Sequence, residues 1–280
     1  MKLQNTYQDL TRHFSWLGQI GVGFTHSQRI TDSPSQEDLT FHLQIEKYSE
    51  IEPPIGTNDI STLKGSVLAR YIDHTLLRAD ATPSEITRTC HEAREHQFAT
   101  VCMNGVFVRQ AAALLKGSNT TPIAVIGFPL GAGSPQAKAT EAKLAVADGA
   151  REIDMVIATG LLKSKMYHAV LDDIRAVVEA AKPYPVKVIL ETCLLDRTQK
   201  IAACILARAA GAAFVKTSTG FSTNGATVED IALMRAVVGP DMGVKASGGI
   251  RTRADALKMI AAGANRIGAS ASVSIVQDSQ

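Results

Sequence analysis

The stretch Phe214-Val215-Lys216-Thr217-Ser218-Thr219-Gly220 places one lysine in a short β-type run that is followed by three hydroxyl residues and a glycine. In a strand, alternate side chains point to opposite faces, so Lys216 lies on the face opposite Val215 and Thr217. If the Val215 face packs against helices, Lys216 points into a second buried side. Burial disfavours the charged form of an amine, which lowers its pKa and makes it a nucleophile at neutral pH. The stretch therefore predicts a reactive lysine inside a sheet.

A second lysine, Lys245, follows one strand-and-helix unit later, in the run at residues 244–249. Lysines on adjacent strands repel each other, and the repulsion lowers one pKa further. On an earlier predicted strand, the same alternation turns Asp154 away from the helix layer, so that it converges with both lysines. An isolated buried charge is costly, whereas a mutually neutralising cluster is tolerable. The trio predicts imine chemistry with a carbonyl substrate; the alternative for one Asp–Lys pair is a polar layer that only fills the interior.

From about residue 67 the chain alternates short β-branched apolar runs with amphipathic, alanine-rich helical windows. The runs predict eight strands, at Arg70–Thr75, Phe98–Met103, Pro122–Pro129, Glu152–Ala158, Val186–Glu191, Phe214–Gly220, Gly243–Gly249 and Arg266–Ser270. The helical windows between them lie near Pro83–Gln97, Gly105–Lys116, Pro135–Asp148, Lys165–Lys182, Thr198–Ala210, Val228–Val238 and Arg253–Ala262.

Strands that alternate with helices predict an α/β protein, here a (β/α)8 TIM barrel with an N-terminal extension. The alternative is an open doubly wound sheet. Such a sheet usually carries a glycine-rich turn after its first strand, and here Asp73-His74-Thr75 stands in that place. We therefore prefer the barrel, whose active site lies at the carboxyl ends of the strands.

The first part of the chain differs from this regular pattern. We expect residues 1–65 to be an extension, either a partly ordered tail or a small cap on the main domain or on a second subunit, and residues 66–280 to be the barrel. Within the extension, Leu10–Ile20 and Leu39–Tyr48 have helical character.

Composition excludes several classes of function. The 280 residues carry 29 basic and 27 acidic side chains, and a net charge of +2 gives no electrostatic reason to expect nucleic acid or membrane as a partner. The four cysteines form no C-x-x-C pair, which indicates reduced thiols and a cytoplasmic protein. The sequence shows neither a spanning apolar run nor the apolar core of a secretion signal.

Small residues at the ends of the last two strands predict a phosphate site. Ser247-Gly248-Gly249 closes the seventh strand and Gly268-Ala269-Ser270 closes the eighth, and their backbone N–H groups can approach an anion. These two loops, with a short extra helix here expected within residues 271–277, are the usual phosphate site of such barrels. Gly220 and Thr217 complete the predicted binding residues. Plain turn chemistry is the alternative for each loop taken alone.

Three other polar residues near strand ends are less specific candidates for the site. We interpret His74 as part of a hydrogen-bonded polar layer rather than as a general base. Cys102 reads as a small core residue that could also meet an aldehyde product. Glu191 is a candidate partner for a site lysine. No His, Cys and Asp set has the spacing of metal ligands, so we predict neither a metal nor another cofactor.

Five motifs, in this order, resemble those of the deoxyribose-phosphate aldolases, a family of class I aldolases on (β/α)8 barrels. The resemblance runs from about Leu68 to Val276. The motifs are Tyr-Ile-Asp-His-Thr-Leu-Leu at 71–77, Glu-Ile-Asp-Met-Val-Ile at 152–157, Phe-Val-Lys-Thr-Ser-Thr-Gly-Phe at 214–221, Val-Lys-Ala-Ser-Gly-Gly-Ile-Arg at 244–251 and Arg-Ile-Gly-Ala-Ser at 266–270.

The resemblance implies roles for individual residues. Lys216 would be the Schiff-base lysine, Lys245 the neighbour that lowers its pKa, Asp154 the proton-relay carboxylate and Asp73 a member of the network around the lysines. Glycines and serines of the last two motifs would hold the substrate phosphate. Some members end in a tyrosine-bearing tail that reaches the site, whereas this chain ends Val-Gln-Asp-Ser-Gln at 276–280.

The implied reaction is the reversible retro-aldol cleavage of 2-deoxy-D-ribose 5-phosphate to acetaldehyde and D-glyceraldehyde 3-phosphate. The implied role is catabolism of deoxyribose phosphate and deoxyribonucleotides. The expected partners are the phosphorylated sugar and further copies of the chain. Two rivals remain at this stage: another Schiff-base aldolase of the same fold, and a non-catalytic sensor of a phosphorylated ligand.

Overall fold

Eight parallel strands close into a barrel and follow one another around it in chain order. The computed structural model describes Ile45 and residues 63–277. The strands are β1 (Ile72–Leu76), β2 (Thr100–Met103), β3 (Thr121–Ile126), β4 (Glu152–Val156), β5 (Val186–Ile189), β6 (Phe214–Lys216), β7 (Gly243–Ser247) and β8 (Arg266–Ala269). This architecture confirms the predicted (β/α)8 barrel.

Helices connect the strands and surround the barrel. They are α1 (Gly65–Leu68), α2 (Pro83–Glu95), α3 (Val108–Leu114), α4 (Pro135–Ala147), α5 (Thr159–Lys163), α6 (Tyr167–Ala181), α7 (Arg197–Ala209), α8 (Val228–Val238), α9 (Arg253–Ala261) and α10 (Ser272–Val276). Short 3-10 turns lie at Ala69–Tyr71, Gly105–Phe107 and Thr192–Leu194. Side-chain caps begin several of the helices. In α2, Thr82 and Glu85 form a capping box, which satisfies two backbone donors at the helix start.

Alternation along each strand separates an apolar outer layer from a polar interior. Ile153, Val215 and Val244 belong to the main core cluster, which packs between sheet and helices. Their neighbours Asp154 and Lys245 are fully buried on the other side of the sheet. The strands therefore place charged side chains inside the barrel, as the parity of the sequence predicts.

Several predicted strands are shorter in the structure. The strand predicted at Phe214–Gly220 ends at Lys216, because the Thr217 hydroxyl exchanges hydrogen bonds with the backbone of Ser247 and the chain turns at Gly220, whose φ is +87°. The first strand begins at Ile72, because the residues before it form a 3-10 turn.

Most of the predicted N-terminal extension lies outside the described residues, including the helical windows at Leu10–Ile20 and, Ile45 apart, Leu39–Tyr48. Ile45 is helical and buried in the main core cluster. Within the described part of the chain, no helix has the length and apolar character needed to cross a membrane.

Candidate active site

Asp154 of β4 lies at the centre of a buried cluster of lysines. Its Oδ2 accepts hydrogen bonds from Lys216 Nζ and Lys245 Nζ, both at 2.8 Å. Its Oδ1 accepts one from Lys187 Nζ at 3.0 Å. Strands β6 and β7 pair Lys216 directly with Lys245, so the two lysines lie side by side. One carboxylate thus joins the two amines that the sequence singles out.

A second carboxylate, Asp73 of β1, extends the cluster. Lys245 Nζ lies 2.5 Å from Asp73 Oδ2, and Arg266 and Thr100 donate to Asp73 Oδ1 at 2.7 and 2.6 Å. Glu152 contacts both Lys187 and Arg266. The four side chains of Lys187, Lys216, Lys245 and Arg266 therefore meet three carboxylates, those of Asp73, Glu152 and Asp154.

Four cations and three carboxylates balance only if one cation gives up its proton. Burial lowers the pKa of Lys216, and Lys245 lowers it further, whereas Asp154 acts in the opposite direction without reversing the shift. Burial also lowers the pKa of Lys245, but Asp154 and Asp73 outweigh it and raise that pKa on balance. Lys216 is therefore the amine that this cluster holds neutral most easily.

Asp154 and Asp73 stay ionised. Burial raises the pKa of Asp154, but Lys187, Lys216 and Lys245 outweigh it and hold that pKa well below its ordinary value. Burial likewise opposes ionisation of Asp73, whose pKa Lys245 and Lys187 nevertheless lower. Asp154 is thus an ionised acceptor beside an amine whose pKa is lowered.

The predicted phosphate residues gather at the ends of β6, β7 and β8. Gly220, Gly249 and Ser270 are exposed there, and Gly248 is half-buried. Gly248 and Gly249 have φ of +85° and +80°, a backbone conformation that favours glycine. Ser247 is buried and donates from Oγ to the Ser218 carbonyl at 2.7 Å.

Two predicted binding residues are engaged within the protein. Thr217 Oγ1 donates to the Ser247 carbonyl at 3.0 Å and accepts from the Ser247 N–H at 3.1 Å, so it holds the β7 loop. Gly268 faces Lys245, because a Cβ at position 268 would lie 2.9 Å from Lys245 Cε. Both residues therefore contact other residues of the site.

An apolar wall lines the interior on the side of β1 to β3. It consists of Leu77, Cys102, Ile123 and Val125, with Phe128 packed against it. Cys102 Sγ lies 4.0 Å from Asp154 Oδ2, so the wall adjoins the charged cluster. Burial raises the pKa of Cys102 to about 11, which keeps it a neutral thiol.

Sequence reasoning missed three residues of the charged cluster. Lys187 alternates with the outward Val186 and Val188, and Glu152 and Arg266 share the parity of Asp154 and Gly268 on their own strands. The alternation argument that found Asp154 could therefore have found all three. It could also have found Ser218, whose buried hydroxyl lacks a hydrogen-bond partner among the described residues.

The suggestion that Glu191 pairs with a site lysine is wrong. Its backbone is left-handed, with φ of 55°, and its carboxylate accepts from the N–H and the hydroxyl of Thr219. His74 belongs to a hydrogen-bonded polar layer, as we prefer from the sequence. It points outward, and its Nε2 lies 2.8 Å from Glu92 Oε2.

A closed parallel barrel with a buried lysine of lowered pKa, a cationic neighbour and a carboxylate between them has the groups that a class I aldolase needs. The chain belongs to the DeoC/LacD family of aldolases, whose sequence model matches residues 67–277. It is therefore an enzyme, a carbon–carbon lyase, and the family resemblance drawn from its motifs is confirmed.

Three similar proteins illustrate the match. A deoxyribose-phosphate aldolase of Macrococcus caseolyticus is 57% identical over 210 residues, which cover 75% of this chain and 96% of that protein. A candidate deoxyribose-phosphate aldolase of Coccidioides immitis matches in structure with a TM-score of 0.79 and 43% identity, over 85% of this chain and 96% of the other. A deoxyribose phosphate aldolase of Aeropyrum pernix, whose structure is described as a unique tetramer, matches with a TM-score of 0.72 and 32% identity. The match covers 87% of this chain and 97% of the other.

Proposed function

We propose that this chain reversibly cleaves 2-deoxy-D-ribose 5-phosphate to acetaldehyde and D-glyceraldehyde 3-phosphate, with Lys216 as the Schiff-base nucleophile. The observation that carries the proposal is the buried Lys216 amine, 2.8 Å from the carboxylate that also binds Lys245. The function named for its relative of 57% identity supports the choice of substrate.

Cleavage begins when neutral Lys216 attacks the C1 aldehyde of the open-chain sugar. Loss of water gives an iminium that accepts the electron pair of the breaking bond. Asp154, acting through a water molecule, takes the proton of the C3 hydroxyl, and the C2–C3 bond breaks to release glyceraldehyde 3-phosphate. The enamine is then protonated at C2, and hydrolysis of the resulting imine releases acetaldehyde. The low pKa of Asp154 suits a relay that passes the proton on.

Other residues orient the substrate along the barrel mouth. We assign the phosphate to the backbone N–H groups around Gly220, Gly248, Gly249 and Ser270, with Ser247, Thr217 and Gly268 holding these loops in place. Such remote binding energy positions the reacting carbons. The apolar wall suits C2, which lacks a hydroxyl in this sugar.

An assay of acetaldehyde release tests the proposal. We expect turnover of deoxyribose 5-phosphate, and for unphosphorylated deoxyribose a kcat/KM lower by about 100-fold, because the phosphate supplies binding energy. Preference for a different phosphorylated aldehyde would favour another aldolase of this fold. Calorimetric binding of deoxyribose phosphate without its consumption would favour a sensor, although a sensor needs no amine of low pKa.

The oligomeric state and the compartment belong to the same proposal. We assign the chain to a cytoplasmic homo-oligomer that acts in the catabolism of deoxyribonucleotide sugars. The related enzyme described as a tetramer supports the assembly, and thiols without disulfide pairing support the compartment. A monomeric mass by light scattering, or recovery outside the cytoplasm on fractionation, would contradict these assignments.

The division at about residue 65 leads to a prediction for a truncated chain. The match to the Macrococcus caseolyticus enzyme covers 96% of that protein and 75% of this chain, and the family model matches residues 67–277. We expect residues 63–280 to fold and to keep kcat within about twofold, with a loss of about 2 kcal/mol in stability because the burial of Ile45 is removed.

Denaturant unfolding and steady-state kinetics measure both effects. Full-length Ile45→Ala is the matched control, and it should lose a similar amount of stability with unchanged kcat. A truncated chain that folds but has lost most of its kcat would show that the extension takes part in the active site, contrary to the division.

A further inference from the structure

A second buried ion pair lies outside the catalytic cluster. Lys138 of α4 and Asp173 of α6 are both 1% exposed, and Lys138 Nζ donates to Asp173 Oδ2 at 2.6 Å. Burial raises the pKa of Asp173 in spite of Lys138. Replacing a buried pair with apolar residues is often neutral or stabilising, so stability alone does not account for this one.

Lys138 also contacts a strand of the active site. Its Nζ donates to the carbonyl of Val156 at 3.1 Å, and Val156 is the last residue of β4, two residues after Asp154. Nearly one helical turn further along α4, Glu141 Oε2 accepts from the N–H of Gly127 at 2.7 Å. Gly127 directly follows β3. Two side chains of α4 thus satisfy backbone groups at the point where the β3–β4 ladder ends.

The loop after β3 is held against the same group of residues. Gly131 donates from its N–H to the Gly127 carbonyl at 2.7 Å, which closes the loop into a turn. A Cβ on Gly127 would lie 3.0 Å from Lys138 Cε, and one on Gly131 would lie 2.2 Å from the Ile157 carbonyl oxygen. The loop therefore runs in close contact with the Lys138 side chain and the end of β4.

Phe128 is the residue that this loop presents to the active site. It packs against the apolar wall, and its ring lies edge-on to the ring of Phe221 with centroids 5.2 Å apart. Phe221 follows β6, so the two rings connect loops from separated strands of the barrel, β3 and β6. The position of Phe128 therefore determines the shape of the apolar side of the site.

We propose that Lys138, Glu141 and Asp173 form a clamp that positions Phe128 against the two-carbon aldehyde fragment bound at Lys216. The three are positioning residues, since they act through the loop after β3 and the end of β4. The inference rests on the aldolase function proposed above. It assigns the clamp to recognition of acetaldehyde and leaves the phosphate end, at β7 and β8, independent of it.

Two variants test the clamp in the direction of synthesis. Lys138→Met combined with Asp173→Leu removes the pair without leaving a lone buried charge. Glu141→Ala removes the second contact at an exposed helix position. We expect KM for acetaldehyde to rise about 10-fold in the double variant and about 3-fold in Glu141→Ala, because small displacements of positioning groups cost this much or more. KM for glyceraldehyde 3-phosphate should stay within about twofold.

The split between the two KM values separates positioning from simple destabilisation, because a loss of active enzyme lowers the measured rate without changing either KM. The matched control is Lys200→Met with Asp230→Leu. That pair, at 2.6 Å, joins α7 to α8, whereas Lys138 also donates to the carbonyl at the end of β4. Both KM values should therefore stay as in the parent.

The clamp is refuted if Glu141→Ala keeps the parent KM for acetaldehyde, or if both KM values rise equally in the variants. If the double variant fails to fold, the KM values of Glu141→Ala alone decide whether the clamp exists. A parent enzyme that makes no product from acetaldehyde and glyceraldehyde 3-phosphate would instead contradict the proposed function, and the clamp with it.

Discussion

Lys216→Ala is expected to lower kcat for deoxyribose 5-phosphate cleavage by about 10⁴-fold or more, since no imine can form without the amine. The barrel should remain folded. Removing Lys216 leaves Lys187, Lys245 and Arg266 against three carboxylates, so the buried charges balance in the variant. Near-ultraviolet circular dichroism should therefore match that of the parent.

Borohydride reduction in the presence of acetaldehyde gives the direct chemical evidence. In the parent, reduction should add one ethyl group to Lys216, identified by peptide mass. Lys216→Ala should take up none, and neither should Lys216→Met, which fills more of the vacated volume and guards against collapse of the site. Lys182→Ala, which removes an exposed lysine paired with Glu179, is the matched control and should be labelled on Lys216 as before.

Two results would count against Lys216 as the nucleophile. One is substantial turnover by either Lys216 variant. The other is a reduced adduct on Lys187 or Lys245 in the parent. Either result would move the imine to a neighbouring amine of the same cluster and leave the barrel assignment unaffected.

The charged interior could be predicted from the sequence because strands have a strict period of two. Ile153 and Val244 are apolar residues of outward parity, and that parity is enough to turn Asp154 and Lys245 inward. Closure of the barrel then brings strands that are distant in sequence to one interior. Asp73 was predicted as a site residue only from the family resemblance. Strand β1 has His74 at an outward position and so shows no clear apolar alternation.

Other features depend on packing that local patterns do not encode. Lys138 lies on an alanine-rich helix, where a lysine normally faces solvent, and its burial depends on Asp173 of a different helix. The direction of the Glu191 side chain depends on a left-handed residue after the end of β5, in a loop whose path no periodicity predicts. The clamp and the Glu191–Thr219 contact thus became visible only in three dimensions.

Lys245→Met is expected to move the rising limb of the pH–rate profile to higher pH by about one unit or more, the scale on which a close charge shifts a pKa. Cleavage needs neutral Lys216, so the rate rises as pH increases through the pKa of that amine. Burial and Lys245 lower this pKa, and Asp154 raises it. When Lys245 is removed, one lowering influence is lost while the attraction of Asp154 remains. The pKa of Lys216 must therefore rise.

The charge count leads to the same conclusion. Without Lys245, three cations face three carboxylates, and the cluster is balanced when Lys216 is protonated. Wherever the pKa of Lys216 lies above the working pH, each unit of increase lowers the neutral fraction about 10-fold. We expect kcat/KM at pH 7 to fall by about 10-fold or more, and most of the loss to be recovered at high pH.

The matched control is Lys187→Met. This lysine is also buried and also binds Asp154, at 3.0 Å, but it contacts the other carboxylate oxygen, away from Lys216. Its removal should shift the limb less than removal of Lys245. If Lys245→Met lowers kcat equally at every pH, Lys245 transfers protons in the reaction and does not set the pKa of its neighbour. Because Asp154 binds both amines through one oxygen, the position of this limb separates an electrostatic role of Lys245 from a chemical one.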